Sequence, residues 1–218
     1  GNKAKASAAS FEALSRGSEL NHYIVSHDDK INVGINRDGS STLDEDTGDD
    51  VSLWYFNAPS QFLGDKGIAY GGSLEFTLGA FSGDFTSANA VNSAGNTAVV
   101  RLVCDACVGP VGPGITLIYP LNALPTAFTG EASTMSMDLK EGKGWLKDPQ
   151  NSLSSWIEAS QCDMLQVLYR LSSVQILGDW TRRHESIALD NVQIKNTRGT
   201  AVPLCAQNEM PDVSVCSC

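Results

Sequence analysis

Short segments in which apolar and polar residues alternate recur along this 218-residue chain, and this period of two constrains the fold most. Tyr70 to Leu78 puts Leu74, Phe76 and Leu78 on one face; Ser133 to Leu139 does the same with Met135, Met137 and Leu139. Successive side chains of a strand point to opposite faces, so each segment reads as a strand with one face on a core. Val51 to Phe56 reads as an aromatic strand ended by Asn57-Ala58-Pro59. Further strands are predicted over Thr97 to Val103, Ile115 to Tyr119, Ser173 to Trp180 and Ser186 to Ile194. Twenty Gly and eight Pro, spread along the chain, suit many turns between them.

One segment has the helical period instead. Met164, Leu165, Leu168 and Leu171 fall at i, i+1, i+4 and i+7, and Val167 widens the stripe. Ser160 followed by Asp163 resembles a capping box, with Asp in place of Glu. Many strands and one short helix, with no internal repeat, make an all-β antiparallel sandwich the economical fold. The last strand contains a slip. Ile187 and Leu189 share one apolar phase, Val192 and Ile194 the next, so a β-bulge is predicted at Asp190-Asn191.

Composition excludes several functions. The formal net charge is -10, with 15 Lys and Arg in all, so nucleic acid and anionic membrane surfaces are unsuitable partners. No apolar run approaches the length of a membrane span. Six cysteines, Cys104, Cys107, Cys162, Cys205, Cys216 and Cys218, form an even set that suits an oxidising compartment. Their spacing does not choose a pairing. Cys104-Asp105-Ala106-Cys107 is followed by Val108-Gly109-Pro110, which cannot be helical, so a thioredoxin-type site is not expected. A local disulfide, or two bridges leaving this loop, is the reading preferred. Structural zinc lacks a second ligand pair at suitable spacing, and the three His show no pairing pattern. The chain lacks an N-x-S/T sequon, and its Gly1-Asn2-Lys3 start reads as a mature end or a cut piece.

Two separated blocks resemble the laminin IV (laminin B) domain. The first runs from Trp54-Tyr55-Phe56-Asn57-Ala58-Pro59 through Gln61-Phe62-Leu63-Gly64-Asp65 to Tyr70-Gly71-Gly72-Ser73-Leu74. The second covers Leu165 to Leu177 and Ser186-Ile187-Ala188-Leu189-Asp190-Asn191-Val192. The tail Cys216-Ser217-Cys218 is similar to the start of the EGF-like repeat that follows such domains in laminins. The resemblance implies a jelly-roll-like sandwich over residues 50–195, with an N-terminal arm and first strands over 1–49 and a Cys-containing tail over 196–218. It implies a secreted or cell-surface protein without catalytic residues.

Jelly rolls of this kind often hold one structural Ca²⁺ between an acid near the chain start and one in the last strand. Glu12 and Asp190 are the matching positions. The plainer role for Asp190 is to form the bulge through a hydrogen bond to backbone. The acidic run Asp44 to Asp50 contains Asp-x-Asp-x-Gly without the closing Glu of a calcium loop and reads as solvated. Trp54, Tyr55, Phe56, Tyr70, Trp145, Trp156 and Trp180 could stack on sugars, but sandwich aromatics are mostly core. Trp54 and Phe56 should share one side of their strand, inward or outward, with Tyr55 on the other. Trp145, between Lys143-Gly144 and Leu146-Lys147, is the residue expected to be exposed for carbohydrate binding. Ser elbows of the G-x-S-x-G kind are absent, and nothing pairs two carboxylates in a cleft. The chain is therefore expected to be no enzyme. It should be a structural or interaction module of a matrix, cell-surface appendage or filament, binding itself or other matrix proteins. The alternative is a carbohydrate-binding module taking glycans.

Overall fold

The computed structural model describes residues 24–28, 53–86, 90, 97–108, 113–148, 156–181 and 185–196. The acidic run and most of the arm and the tail lie outside these residues. The elements are β1 (Ile24–Asp28), β2 (Tyr55–Asn57), β3 (Ser73–Ser82), β4 (Ala98–Val108), β5 (Pro113–Pro120), β6 (Ser133–Asp138), β7 (Leu146–Asp148), β8 (Ile157–Glu158), the helix α1 (Gln161–Tyr169), β9 (Ser173–Leu177) and β10 (Glu185–Lys195). Two antiparallel sheets result, one of order β1-β10-β3-β6, the other β2-β9-β4-β5-β7-β8. The fold is thus the expected β-sandwich with one helix.

The alternation explains the core. Leu74, Phe76, Leu78, Met135 and Met137 are buried from the first sheet, and Leu102, Leu117, Val174 and Ile176 from the second. They belong to one continuous hydrophobic cluster, closed at one side by Met164, Val167 and Leu168 of α1. The helix packs against β4 and β5. Its start is the predicted capping box: the Ser160 side chain accepts from Asp163 N, and the Asp163 carboxylate accepts from Ser160 N at 3.0 Å. Two backbone donors at the helix start are satisfied in this way.

Lys147 of β7 donates to the same carboxylate at 2.6 Å, and both side chains are largely buried (14% and 12% exposed). The Asp163 pKa is set by opposing effects. Burial raises it, but hydrogen bonds from Lys147 and Ser160 outweigh burial and hold it below the usual carboxylate range.

Two glycines decide local packing. A Cβ on Gly178 would lie 1.8 Å from a ring carbon of Trp54, and Gly178 N donates to Trp54 O at 3.1 Å. The strand predicted to run on to Trp180 stops at Leu177, where the chain passes against that ring. A Cβ on Gly72 would lie 1.7 Å from the carbonyl oxygen of Lys195, so β10 closes directly on the Gly72 backbone.

Candidate functional site

The bulge in β10 is where the apolar phase slips. Asp190 pairs with Thr77 of β3, the next paired residue is Gln193 opposite Glu75, and the register shifts between them. Ile187 and Leu189 are buried in the core, with Val192 and Ile194 packed against it, so the bulge keeps both halves of the strand apolar-inward. Asn191 carries the positive φ of 52° that the kink needs, a conformation Asn tolerates better than most residues. Asp190 Oδ1 accepts from Asn191 N at 2.7 Å, which is the plainer role expected of it. Its other oxygen, Oδ2, is sealed from solvent and has no hydrogen-bond partner among the described residues. A buried carboxylate oxygen without a protein donor is costly, so this atom is the chemically unsatisfied point of the described strand. Glu12, the other expected ligand, lies outside the described residues. Among the described residues no three His, Cys, Asp or Glu are gathered as a metal-binding group.

The cysteine question is partly answered. Cys104 and Cys107 form a local disulfide, with Cα atoms 5.4 Å apart. Three steps along a regular strand would separate them by about 10 Å. The register slips between Cys104 and Val108, and this break brings the two together. Both are buried, and neither starts a helix, so the geometry that activates a redox cysteine is missing. Cys162 on α1 is also disulfide-bonded, and no described cysteine is free. Cys205, Cys216 and Cys218 lie outside the described residues.

The expectation for Trp145 is corrected. The ring is 1% exposed, packs edge-on against Tyr119 at 5.4 Å, and donates from Nε1 to Asp138 O at 2.7 Å. The flanking lysines and glycines resembled a surface loop. Gly142 and Gly144, at φ of 69° and 91°, instead turn the chain so that the indole folds under it. Sealed in the core, Trp145 offers no face to a sugar. Tyr70 and Trp180 are buried as well. Trp54 and Phe56 share one side as expected, edge to face at 5.1 Å.

Tyr55, on the other side of β2, leads to a group that patterning did not reveal. The Arg101 guanidinium of β4 stacks on the Tyr55 ring with 3.9 Å from Cζ to the ring centroid, and Nη2 donates to the Tyr55 hydroxyl at 2.9 Å. That hydroxyl donates to Ala98 O at 3.0 Å, which fixes the ring. Burial raises the Tyr55 pKa above its ordinary value; the Arg101 charge opposes this and that of Asp179 adds to it. Arg101 lies opposite Gln175 of β9, which lies opposite Asn57 of β2, and Gln175 Nε2 donates to Asn57 Oδ1 at 2.9 Å. Arg101 Nε is sealed and has no acceptor among the described residues. Arg101 alone in an alternating strand reads as an ordinary outward residue. Only strand order puts it beside Gln175 and within reach of Tyr55.

A family model, Laminin B (Domain IV), matches residues 55–208, more than half of the chain. The chain belongs to the laminin B family. Among solved structures, the L4b domain of human laminin alpha-2 is similar, with a TM-score of 0.53 and 16% identity over 79% of this chain and 78% of that one. At that identity the likeness speaks for the fold. No curated protein sequence matches the chain.

The block that carries the laminin B resemblance is a structural clasp. Gly64, at φ 83°, exchanges backbone hydrogen bonds with Leu171 at 2.8 and 3.0 Å, and Lys66 N donates to Leu168 O at 2.7 Å. Asp65 Oδ1 accepts from Gly67 N at 2.9 Å and shapes the following turn. The Phe-Leu-Gly-Asp stretch of this laminin B domain therefore holds the C-terminal end of α1. No described helix is long and apolar enough to cross a membrane.

Proposed function

We propose that this laminin B domain is an extracellular structural or interaction module, working in a matrix, cell-surface appendage or filament through contacts with itself or other matrix proteins. The observation that carries the reading is the family match over residues 55–208, which makes the domain one of a structural, non-enzymatic, matrix-type family. Two features agree with it. The Cys104–Cys107 disulfide and the bonded Cys162 suit an oxidising compartment, and the family's most distinctive block holds the C-terminal end of α1. The test is to secrete the full chain with its disulfides intact and follow its mass by analytical ultracentrifugation, together with capture on immobilised matrix proteins. A chain that stays monomeric at every concentration and captures no matrix protein refutes the reading.

One structural Ca²⁺ belongs to the same proposal. The sealed Oδ2 of Asp190, with no partner among the described residues, suits a cation, and Glu12 and backbone carbonyls would complete the oxygen set that Ca²⁺ takes. The ion would neutralise Asp190 and tie the bulge to the start of the chain. A ligand that binds only the folded state raises its melting temperature, so EDTA should lower it and Ca²⁺ restore it. An unchanged melt in EDTA, with Asp190→Asn as stable as the parent, refutes the ion and leaves the bulge role.

A further inference from the structure

We propose that Arg101, Tyr55, Gln175 and Asn57 form a subsite for the carboxylate of a short acidic saccharide. The proposal rests on the reading of the domain as an interaction module and adds a ligand class to it.

The argument begins with charge. The chain has 25 Asp and Glu against 15 Lys and Arg, so a cation here has many carboxylates to choose from. Yet no described carboxylate pairs with Arg101, whereas Lys143, Lys147 and Lys195 each hold one. Asp179 is near enough for its charge to act on Tyr55, but it does not bridge to the guanidinium. A half-buried guanidinium with no described acid is an incomplete arrangement, because buried charge is costly unless paired, and with Nε sealed it is the Nη groups that a ligand would meet.

The group is also held ready. Stacking on Tyr55 and the hydrogen bond to its hydroxyl fix the plane of the fork. The ordering entropy that a free Arg side chain would lose on binding is therefore already spent. Nη2 gives one hydrogen to Tyr55 and no described group takes those of Nη1, so paired N–H donors remain that fit a carboxylate. Beside it, the Gln175–Asn57 pair presents side-chain amides, with Asn57 exposed, and amides both donate to and accept from hydroxyls. Carboxylate and hydroxyls side by side are the chemistry of a uronic acid. A net charge of -10 disfavours long polyanions, so the ligand carries few charges.

The full chain is titrated with an unsulfated glucuronate-containing tetrasaccharide, its carboxyl-reduced counterpart and an acidic peptide of equal charge. Binding is read by ¹H–¹⁵N shifts of the Arg101 Nε–H and the Asn57 and Gln175 side-chain amides. The expected result is saturable shifts at these three groups with the acidic sugar alone, and an affinity about tenfold weaker in Arg101→Gln. Gln175→Ala, at a partly exposed position, should weaken binding with an unchanged melting temperature, which keeps the test meaningful if Arg101→Gln unfolds. Equal binding of the reduced sugar, a response to the peptide alone, or no shift at saturating sugar overturns the proposal. None of these outcomes touches the ultracentrifugation result, so the subsite and the assembly role fail separately.

Discussion

Replacing Lys147 by Met removes the positive partner of Asp163 but keeps the length of the side chain that crosses from β7 to α1. The parent pair is short and mostly buried. Removing one member of a fully buried pair costs about 3–5 kcal/mol, because the other charge is left behind. Here Asp163 keeps Ser160 N and Ser160 Oγ, at 3.0 and 2.6 Å, and sits at a helix N-terminus that favours negative charge. The expected loss is therefore smaller, about 2–3 kcal/mol. For a domain of this size that lowers the melting temperature by roughly 4–12 °C. The effect should also depend on pH. Asp163 titrates below its ordinary value when folded, so its contribution is full above the unfolded pKa and is lost as pH falls through the depressed folded value. In the variant, with Lys147 gone, the folded value moves up and the acid side of the stability curve flattens. Urea unfolding followed by circular dichroism, at neutral pH and at steps into acid, measures both effects. A Lys147→Met variant as stable as the parent, or with the same acid slope, would refute the reasoning.

Trp145→Ala should cost about 3–5 kcal/mol, as for other large aromatics removed from a core, and leave any glycan binding of the folded fraction unchanged; thermal melts and the sugar titration check the two halves. Gly178→Ala drives a methyl into the Trp54 ring, so a loss of about 1–3 kcal/mol and a changed tryptophan emission are expected. A silent Gly178→Ala would mean that Trp54 does not pack there.

Much of the candidate chemistry was legible, and the reasons are local. The Ser160–Asp163 cap depends on residues three apart, and the Asp190 bulge follows from one phase slip, so both are written in neighbouring letters. Trp145 was not legible. Its neighbours are polar and flexible in composition, and what buries the ring is Tyr119, from another strand. Arg101 was equally silent, because its meaning comes from Tyr55 and Gln175, residues 46 and 74 positions away by number.

The sequence by itself determined the apolar face of the alternating strands, where the helix starts and where the last strand slips. Those properties depend on the period of the backbone and on short-range hydrogen bonds. Only the tertiary structure decided which strands are neighbours, and with that which aromatic ring is sealed, which cysteine pairs locally and that Arg101 stacks on Tyr55 with no described acid. Contacts of this kind form between distant segments, and a period of two carries no information about which strand will lie alongside.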